Sequence, residues 1–187
     1  MKLNNQMTDQ NQKKRPDREY AIKAAESVLE EFKVTRPPVA IDKIARKMGV
    51  KLMYSPLDDE LSGMVYVKNG DPIIGVNSLH HPNRQRFTIA HEVGHLIMHR
   101  HQIEQEVHVD KTFLMLRRDS ESSSGVNAIE VEANAFAAEV LMPKILVNNA
   151  LKNRTFDIDD ESLIAQLAKQ FKVSTQAIQF RLGRLIG

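Results

Sequence analysis

The feature that most constrains this chain is a helical pattern that encloses three polar, chemically reactive side chains. From Arg84 to Met98, apolar residues recur at the three- and four-residue spacing of a helix that packs on a core. His91, Glu92 and His95 lie inside this pattern. Burying unpaired His and Glu side chains would be costly. Either an ordinary amphipathic helix carries them on its polar face, or a metal ion compensates the cost.

The run His91-Glu92-Val93-Gly94-His95 has the spacing of a metal-dependent hydrolase. Two histidines four residues apart lie on one helical face and can direct ring nitrogens at one ion. The glutamate beside them can take a proton from a zinc-bound water and pass it to a leaving amine. A structural metal site has no use for such a base, so Glu92 favours catalysis. The chain has no cysteine, so any metal must bind nitrogen and oxygen ligands.

A catalytic zinc site needs a third protein ligand, which must come from elsewhere in the chain. The candidates are His80, His81, His99, His101, His108, Glu130, Glu132 and Glu139. His99 lies about 12 Å along the helix axis from His91, a distance that one tetrahedral ion cannot comfortably span. Glu130 is followed one turn later by Asn134, which would supply a hydrogen-bond partner for a ligand histidine. The alternative is that the three glutamates are solvated helix charges.

The rest of the pattern predicts an α+β fold, mostly helical, with a small antiparallel three-stranded sheet beside the histidine-bearing helix. Helices are predicted over about 17–35, 39–48, 84–98, 126–142, 159–171 and 174–185, and strands over 50–54, 63–67 and 72–76. Lys68-Asn69-Gly70-Asp71 predicts a tight hairpin turn between the last two strands. Residues 100 to about 127 are predicted to form a long loop. The predicted organisation is a disordered polar tail at 1–17, a main domain at 18–150 and a C-terminal helical segment at 151–187.

The net charge and the distribution of apolar residues indicate which kinds of partner and which cellular location to expect. The 26 Lys and Arg residues against 24 Asp and Glu residues give a net charge of +2, which provides no strong attraction for nucleic acid or membrane. No apolar run approaches the roughly 20 residues that span a bilayer, and the first residues lack the apolar core of a secretory signal. We therefore expect a cytoplasmic protein with no membrane partner.

Several segments together resemble the ImmA/IrrE-type metallopeptidases of bacteria and their mobile elements. They are Ser62-Gly63-Met64, Ile74-Gly75-Val76-Asn77, the run from Arg84 to Leu96 with His99, and the run from Glu130 to Pro143, in the family's order. The resemblance covers roughly Tyr20 to Pro143. It implies a zinc ion held by His91, His95 and a glutamate of the second helix, with Glu92 as catalytic acid and base. Glu130 is placed as that ligand because the family's glutamate is followed four residues on by Asn or Asp, with Glu132 as runner-up.

The resemblance also implies a function. Family members of this kind cleave a cognate helix-turn-helix repressor and so relieve repression after DNA damage or a mobile-element signal. The substrate would bind in extended form along a sheet edge, because an exposed edge offers backbone donors and acceptors. Residues 63–67 and 73–77 are the predicted edges, and the predicted substrate contacts are Gly63, Met64, Val65 and Asn77. Arg86 and His99 are predicted either to hold the active-site helix or polarise the scissile carbonyl, or to be buried structural residues.

The C-terminal segment, residues 163–182, looks like a helix-turn-helix whose second helix is capped by Ser174. That helix offers only Arg181 and Arg184, with Gln176 and Gln179, as candidate DNA contacts. Two cationic side chains would attract the phosphate groups of DNA only weakly. The segment is therefore expected to serve in packing or substrate docking rather than DNA binding. The alternative to the peptidase is a non-catalytic DNA- or protein-binding regulator with a structural metal site.

Overall fold

The computed structural model describes residues 15–103, 108–111, 125–151 and 160–186. Its helices are α1 (Arg18–Glu31), α2 (Ile41–Lys47), α3 (Pro82–Met98), α4 (Arg100–Ile103), α5 (Gly125–Leu141), α6 (Lys144–Leu151), α7 (Glu161–Phe171) and α8 (Thr175–Ile186). Its strands are β1 (Lys51–Ser55), β2 (Leu61–Lys68), β3 (Asp71–Asn77) and β4 (His108–Lys111). The predicted α+β class is confirmed. Most of the predicted tail, most of the predicted loop at 100–127 and the predicted helix start at 159 lie outside the described residues.

Short polar side chains fix where several helices begin. Asp17, Asp160 and Ser174 each accept a hydrogen bond from the backbone N–H three residues on, at 2.9, 3.0 and 3.1 Å. Such caps satisfy one of the N–H groups that the first helical turn leaves without a partner. The predicted cap at Ser174 is confirmed. Helix α2 ends ahead of Gly49, whose φ of +83° lies in the left-handed region that glycine adopts without strain.

The sheet has the strand order β1-β3-β2-β4. β2 and β3 form the predicted antiparallel hairpin, which turns at Asn69 and Gly70 with φ values of +55° and +88°. Positive φ at both central residues matches the right-handed twist of the strands, and Asn-Gly accepts this conformation at low cost. β1 pairs with β3 in parallel, and β4 pairs with β2 antiparallel.

The prediction of a three-stranded antiparallel sheet is wrong in two respects. Among the described residues the sheet is mixed and has four strands, because β1 runs parallel to β3 and β4 lies within the segment predicted as loop. A two-residue alternation shows which face of a strand is apolar but not which strand lies beside it. The predicted substrate edges are also wrong, since β3 lies between β1 and β2, and β2 lies between β3 and β4.

One hydrophobic core joins the sheet, the first six helices and the C-terminal pair. Helices α3 and α5 cross its centre, and their buried residues include Ile89, Val93 and Phe136. Phe171 of α7 and Ile178 of α8 belong to the same core and are fully buried. None of the helices in the described ranges has the combination of length and apolar character that would let it cross a bilayer.

Polar contacts also fasten α7 and α8 to the rest of the protein. Asn83 Nδ2 donates to the carbonyl oxygen of Val173 in the turn between them, at 3.0 Å. Arg181 of α8 forms a buried ion pair with Glu139 of α5, and its Nε donates to the carbonyl oxygen of Met142 at 2.9 Å. The C-terminal helices therefore pack against the surface that carries α3 and α5.

Candidate metal centre

Helix α3 presents the His-Glu-x-x-His residues from a fully buried stretch that runs from Thr88 to Leu96. Strand β2 lies directly against this stretch at Gly63. A Cβ atom added there would lie 2.4 Å from Thr88 Cγ2 and 3.8 Å from Glu92 Oε1. Only a residue without a side chain lets the strand approach the helix this closely. The absence of a Cβ atom at Gly63 therefore allows the short distance between β2 and the Glu92 carboxylate.

Helix α5 reaches the same region because small residues let it pack closely on α3. A Cβ atom on Gly94 would lie 3.0 to 3.3 Å from atoms of the Phe136 side chain, so that side chain occupies the space that a larger residue would need. Ala133 and Ala137 of α5 are fully buried. The close packing brings the polar side chains of Glu130 and Asn134 across to the histidines.

Three buried side chains converge at this crossing. Nε2 of His91 and Nε2 of His95 lie 3.0 Å apart. Glu130 Oε2 is 3.2 Å from His91 Nε2, and Glu130 Oε1 is 3.3 Å from His95 Nε2. The exposed fractions of His91, His95 and Glu130 are 1%, 0% and 6%. In the described part of the chain, this is a group of residues that could hold a metal ion.

The spacing of the donor atoms on these three side chains fits a tetrahedral ion. With metal–ligand bonds of about 2.0–2.1 Å, two corners of a tetrahedron lie about 3.3 Å apart. The two imidazole Nε2 atoms are 3.0 Å apart, and they lie 3.2 and 3.3 Å from the two different oxygens of Glu130, all close to that value. Two imidazole nitrogens and one carboxylate oxygen are also a ligand set that catalytic zinc uses, with a fourth position left for water. The residues present therefore fit the metal.

Asn134 holds the first histidine in the orientation that a metal requires. Its Oδ1 accepts a hydrogen bond from Nδ1 of His91 at 3.1 Å. A proton on Nδ1 leaves the lone pair of Nε2 directed toward Glu130 and His95. Glu130 and Asn134, one turn apart on α5, therefore both contact His91, as the sequence predicts.

The second histidine is held by a longer chain of contacts. Nδ1 of His95 lies 3.2 Å from Nδ1 of His99, and Nε2 of His99 lies 2.7 Å from Glu132 Oε2. Glu132 Oε1 accepts the backbone N–H of Asp17 at 2.7 Å. His99 and Glu132, both considered as third ligands, therefore lie one and two contacts behind a ligand histidine. Glu130 is the candidate that joins the two histidines.

Arg86 lies apart from this cluster. Its Nη2 donates to the carbonyl oxygen of Val39 at 2.8 Å, and its Nε donates to that of Lys172 at 3.3 Å. Burial lowers the pKa of its guanidinium, and the nearby carboxylate of Asp42 partly opposes that effect. Of the roles predicted for Arg86, these contacts match holding the helix, and its guanidinium donates to carbonyl groups outside the metal cluster.

The four predicted substrate contacts have other surroundings in the structure. Asn77 is fully buried, and its Nδ2 donates to the carbonyl oxygen of Leu61 at 2.8 Å while its Oδ1 accepts the N–H of Leu79 at 3.0 Å. Val65 is a core residue. Successive side chains of a strand point to opposite faces, so Met64 points away from the face on which Gly63 meets α3. Of the four, Val65 and Asn77 therefore have side chains enclosed by the protein, and substrate contact stays a prediction.

The sequence singles out Glu132 and Glu139 as ligand candidates but does not indicate the contact of Glu132 with His99 or the buried pair of Glu139 and Arg181. The four-residue spacing of His91, His95 and His99 could have indicated a chain of histidine contacts along one face of α3. Nothing local signals the bond from Asp17 to Glu132, because the two residues are 115 positions apart.

A helix with the His-Glu-x-x-His run, crossed by a helix that supplies a glutamate beside a small sheet, defines a metallopeptidase-type domain. A family described as the IrrE N-terminal-like domain, a peptidase family, matches residues 45–183. That match covers about three quarters of the chain, and the chain belongs to this family. The predicted resemblance to the ImmA/IrrE-type family is confirmed.

Two relatives and one solved structure extend the comparison. The chain is 32% identical over 110 residues to the radiation response metalloprotease IrrE of Deinococcus radiodurans, across 59% of this chain and 30% of that protein. It is 29% identical over 140 residues to the uncharacterized immunity region protein 2 of Bacillus phage phi105, across 74% and 78% of the two chains. A Mycobacterium tuberculosis transcriptional regulator shares the fold, with a TM-score of 0.57 and 17% identity across 87% of this chain and 46% of that one. This chain therefore spans less than half the length of the Deinococcus and mycobacterial proteins.

Proposed function

We propose that this protein is a zinc-dependent endopeptidase that cleaves a cognate helix-turn-helix transcriptional repressor and so relieves repression in a stress or mobile-element response. The observation that carries the peptidase part is the convergence of His91, His95 and Glu130 on one point, with Glu92 on the same helix. The relatives support the biological setting, because one is a radiation response metalloprotease and the other an immunity region protein of a phage.

In this proposal Glu92 is the catalytic acid and base. Zinc bound by His91, His95 and Glu130 would act as a Lewis acid on water and on the scissile carbonyl. The Glu92 carboxylate takes a proton from the attacking water and delivers it to the amine that leaves when the peptide bond breaks. Gly63 helps to keep Glu92 in place, because the bare backbone of β2 packs over that part of α3.

The substrate is proposed to bind through its main chain at the β4 side of the sheet. β4 is the edge next to β2, and its Asp110 is paired with Gly63, the residue that lies against Glu92. An extended peptide can add to such an edge by backbone hydrogen bonds. This proposal replaces the predicted edges at residues 63–67 and 73–77, which are internal strands.

The contacts of α8 support a packing role for the C-terminal helices over DNA binding. Arg181, one of two arginines in the helix that would read DNA, is buried against Glu139 of α5. A guanidinium held in a buried ion pair is not available to a phosphate or a base edge. What is left on that helix is a single arginine, Arg184, with the glutamines Gln176 and Gln179.

The test is to incubate the purified, zinc-loaded protein with candidate helix-turn-helix repressors, taken first from genes that neighbour its own, and to identify products by mass spectrometry. We expect one cut in the repressor. Glu92→Gln should keep zinc at one equivalent, because the ligands are intact, and should cut roughly 10²–10⁴-fold more slowly, because the base is lost. Glu130→Ala should lose both zinc and cleavage.

The matched control is Glu139→Gln, a buried glutamate of the same helix that binds Arg181 and not the metal cluster. It should keep both zinc and cleavage. If the wild type holds zinc but neither it nor Glu92→Gln cuts the repressor, while both bind it or its operator, the chain is a regulator with a structural metal site.

A further inference from the structure

Behind the ligand His95 lies a chain of buried groups that ends at the start of helix α1. It runs from His95 Nδ1 to His99 Nδ1 at 3.2 Å, from His99 Nε2 to Glu132 Oε2 at 2.7 Å, and from Glu132 Oε1 to the N–H of Asp17 at 2.7 Å. We propose that His99 and Glu132 are positioning residues that hold His95 as a metal ligand. The inference rests on the proposed metal site and adds two residues to it.

One arrangement of protons satisfies every link of this chain. The Glu132 carboxylate has only acceptors, so His99 must carry its proton on Nε2 to donate to it. Nδ1 of neutral His99 then has a lone pair, which accepts the proton on Nδ1 of His95. With its proton on Nδ1, His95 presents the lone pair of Nε2 toward His91 and Glu130. The carboxylate thus selects the tautomer of a ligand with which it has no direct contact.

Burial makes this arrangement matter for metal binding. His95, His99 and Glu132 have exposed fractions of 0%, 5% and 2%. In a site with little water, a negative charge behind an imidazole raises its basicity and fixes the plane of its ring. A common device places the carboxylate directly on the ligand histidine. Here a second histidine stands between them, so the charge acts through His99.

A second buried glutamate of α5 provides the comparison. Glu139 lies two turns after Glu132 and is buried to the same degree, at 3% exposed. Its carboxylate binds the guanidinium of Arg181 and accepts the N–H of Lys144 at 2.9 Å. Both glutamates tie elements together, but only Glu132 is connected to a histidine of the metal cluster. Loss of either should affect folding stability, and loss of Glu132 should in addition affect the metal.

The test is the zinc dissociation constant, measured at fixed pH by competition with a chromophoric chelator, with no cleavage assay involved. We expect Glu132→Gln to bind zinc about 10–100-fold more weakly than the wild type, because outer contacts of ligand histidines have effects of this size. Glutamine has one acceptor for the two donors His99 and Asp17, so one link must break. Glu139→Gln should bind zinc as the wild type does.

A pair of variants at His99 tests the same chain without changing Glu132. The amide of His99→Gln can accept from His95 and donate to Glu132, whereas His99→Phe can do neither. The glutamine variant should therefore recover part of the affinity that the phenylalanine variant loses. This comparison also decides the matter if Glu132→Gln does not fold.

Three results would overturn the inference. They are wild-type zinc affinity in Glu132→Gln, an equal loss of affinity in Glu139→Gln, and equal affinities in the two His99 variants. The ligand assignment has its own readout, because Glu130→Ala should abolish zinc binding. If it does not, the proposed metal site fails; if it does while Glu132→Gln binds normally, the positioning role alone fails.

Discussion

Gly63→Ala adds a single methyl group, and the structure predicts that this small change destabilises the protein. In Gly63→Ala the new methyl group would lie 2.4 Å from Thr88 Cγ2 and 2.7 Å from the carbonyl oxygen of Gly75. Real Cβ atoms essentially never come within 3.0 Å of another heavy atom, so one or both neighbours must move. The carbonyl is part of the β2–β3 ladder and Thr88 is fully buried on α3, so neither can move freely.

The expected loss of stability follows from two opposing effects. Overpacking a core costs about 1–3 kcal/mol, and a clash with both backbone and a buried side chain belongs at the upper end of that range. Replacing a strand glycine by alanine returns about 0.5–1 kcal/mol, because the unfolded chain has less freedom to lose. The unfolding free energy should therefore fall by about 2 kcal/mol, which corresponds to about 4–8 °C in Tm for a chain of this length.

The assay is urea unfolding of the metal-free protein followed by circular dichroism. Gly75→Ala is the matched control, because it lies in the same hairpin and its new methyl would meet Met64 Cγ at 3.0 Å. Met64 has a flexible side chain that can yield, so the control should lose less than about 1 kcal/mol. In Gly63→Ala/Thr88→Ser the clashing methyl of Thr88 is gone, and part of the lost stability should return. Equal stability of Gly63→Ala and the wild type would refute the close approach of β2 to α3.

Three further outcomes follow from the buried contacts. Arg181→Met leaves the Glu139 carboxylate buried without its cation and should cost about 3–5 kcal/mol in urea unfolding, whereas Arg181→Met/Glu139→Leu should recover most of that loss. Arg86→Lys replaces a fork that binds two carbonyl groups by a single ammonium and should cost about 1.5 kcal/mol, with faster amide hydrogen exchange in the α7–α8 turn. Zinc at a hundred times its Kd should raise the unfolding free energy of the wild type by about 2.7 kcal/mol in thermal or urea scans. The same addition should leave Glu130→Ala unchanged.

The sequence predicts those parts of the site that lie on one element. The spacing of His91 and His95 requires only that the segment be helical, and the apolar residues between Arg84 and Met98 predict that helix. The hairpin at Asn69 and Gly70 is predictable for a similar reason, since two adjacent residues determine the turn.

The parts that depend on how elements meet are harder to predict. Glu130 and Glu132 lie two residues apart on α5, and the rotation of that helix about its axis decides which of them faces the histidines. The packing of Phe136 against Gly94 determines that rotation. The sequence of α5 alone does not predict this contact. The sequence pattern predicts a loop where β4 lies, because four residues are too few to show the alternation of apolar and polar side chains that indicates a strand. The parallel pairing of β1 with β3 likewise depends on tertiary packing.

The buried pair of Glu139 and Arg181 has a consequence for how sequences of this family can diverge. Either residue alone would leave a charge in the core, so a change at one position costs stability that a matching change at the other restores. Across relatives that share α5 and α8, the two positions should therefore be occupied by an acid and a base together, or by two apolar residues. A chimera that takes its C-terminal helices from a relative with apolar residues at this pair should be more stable when position 139 comes from the same parent as position 181.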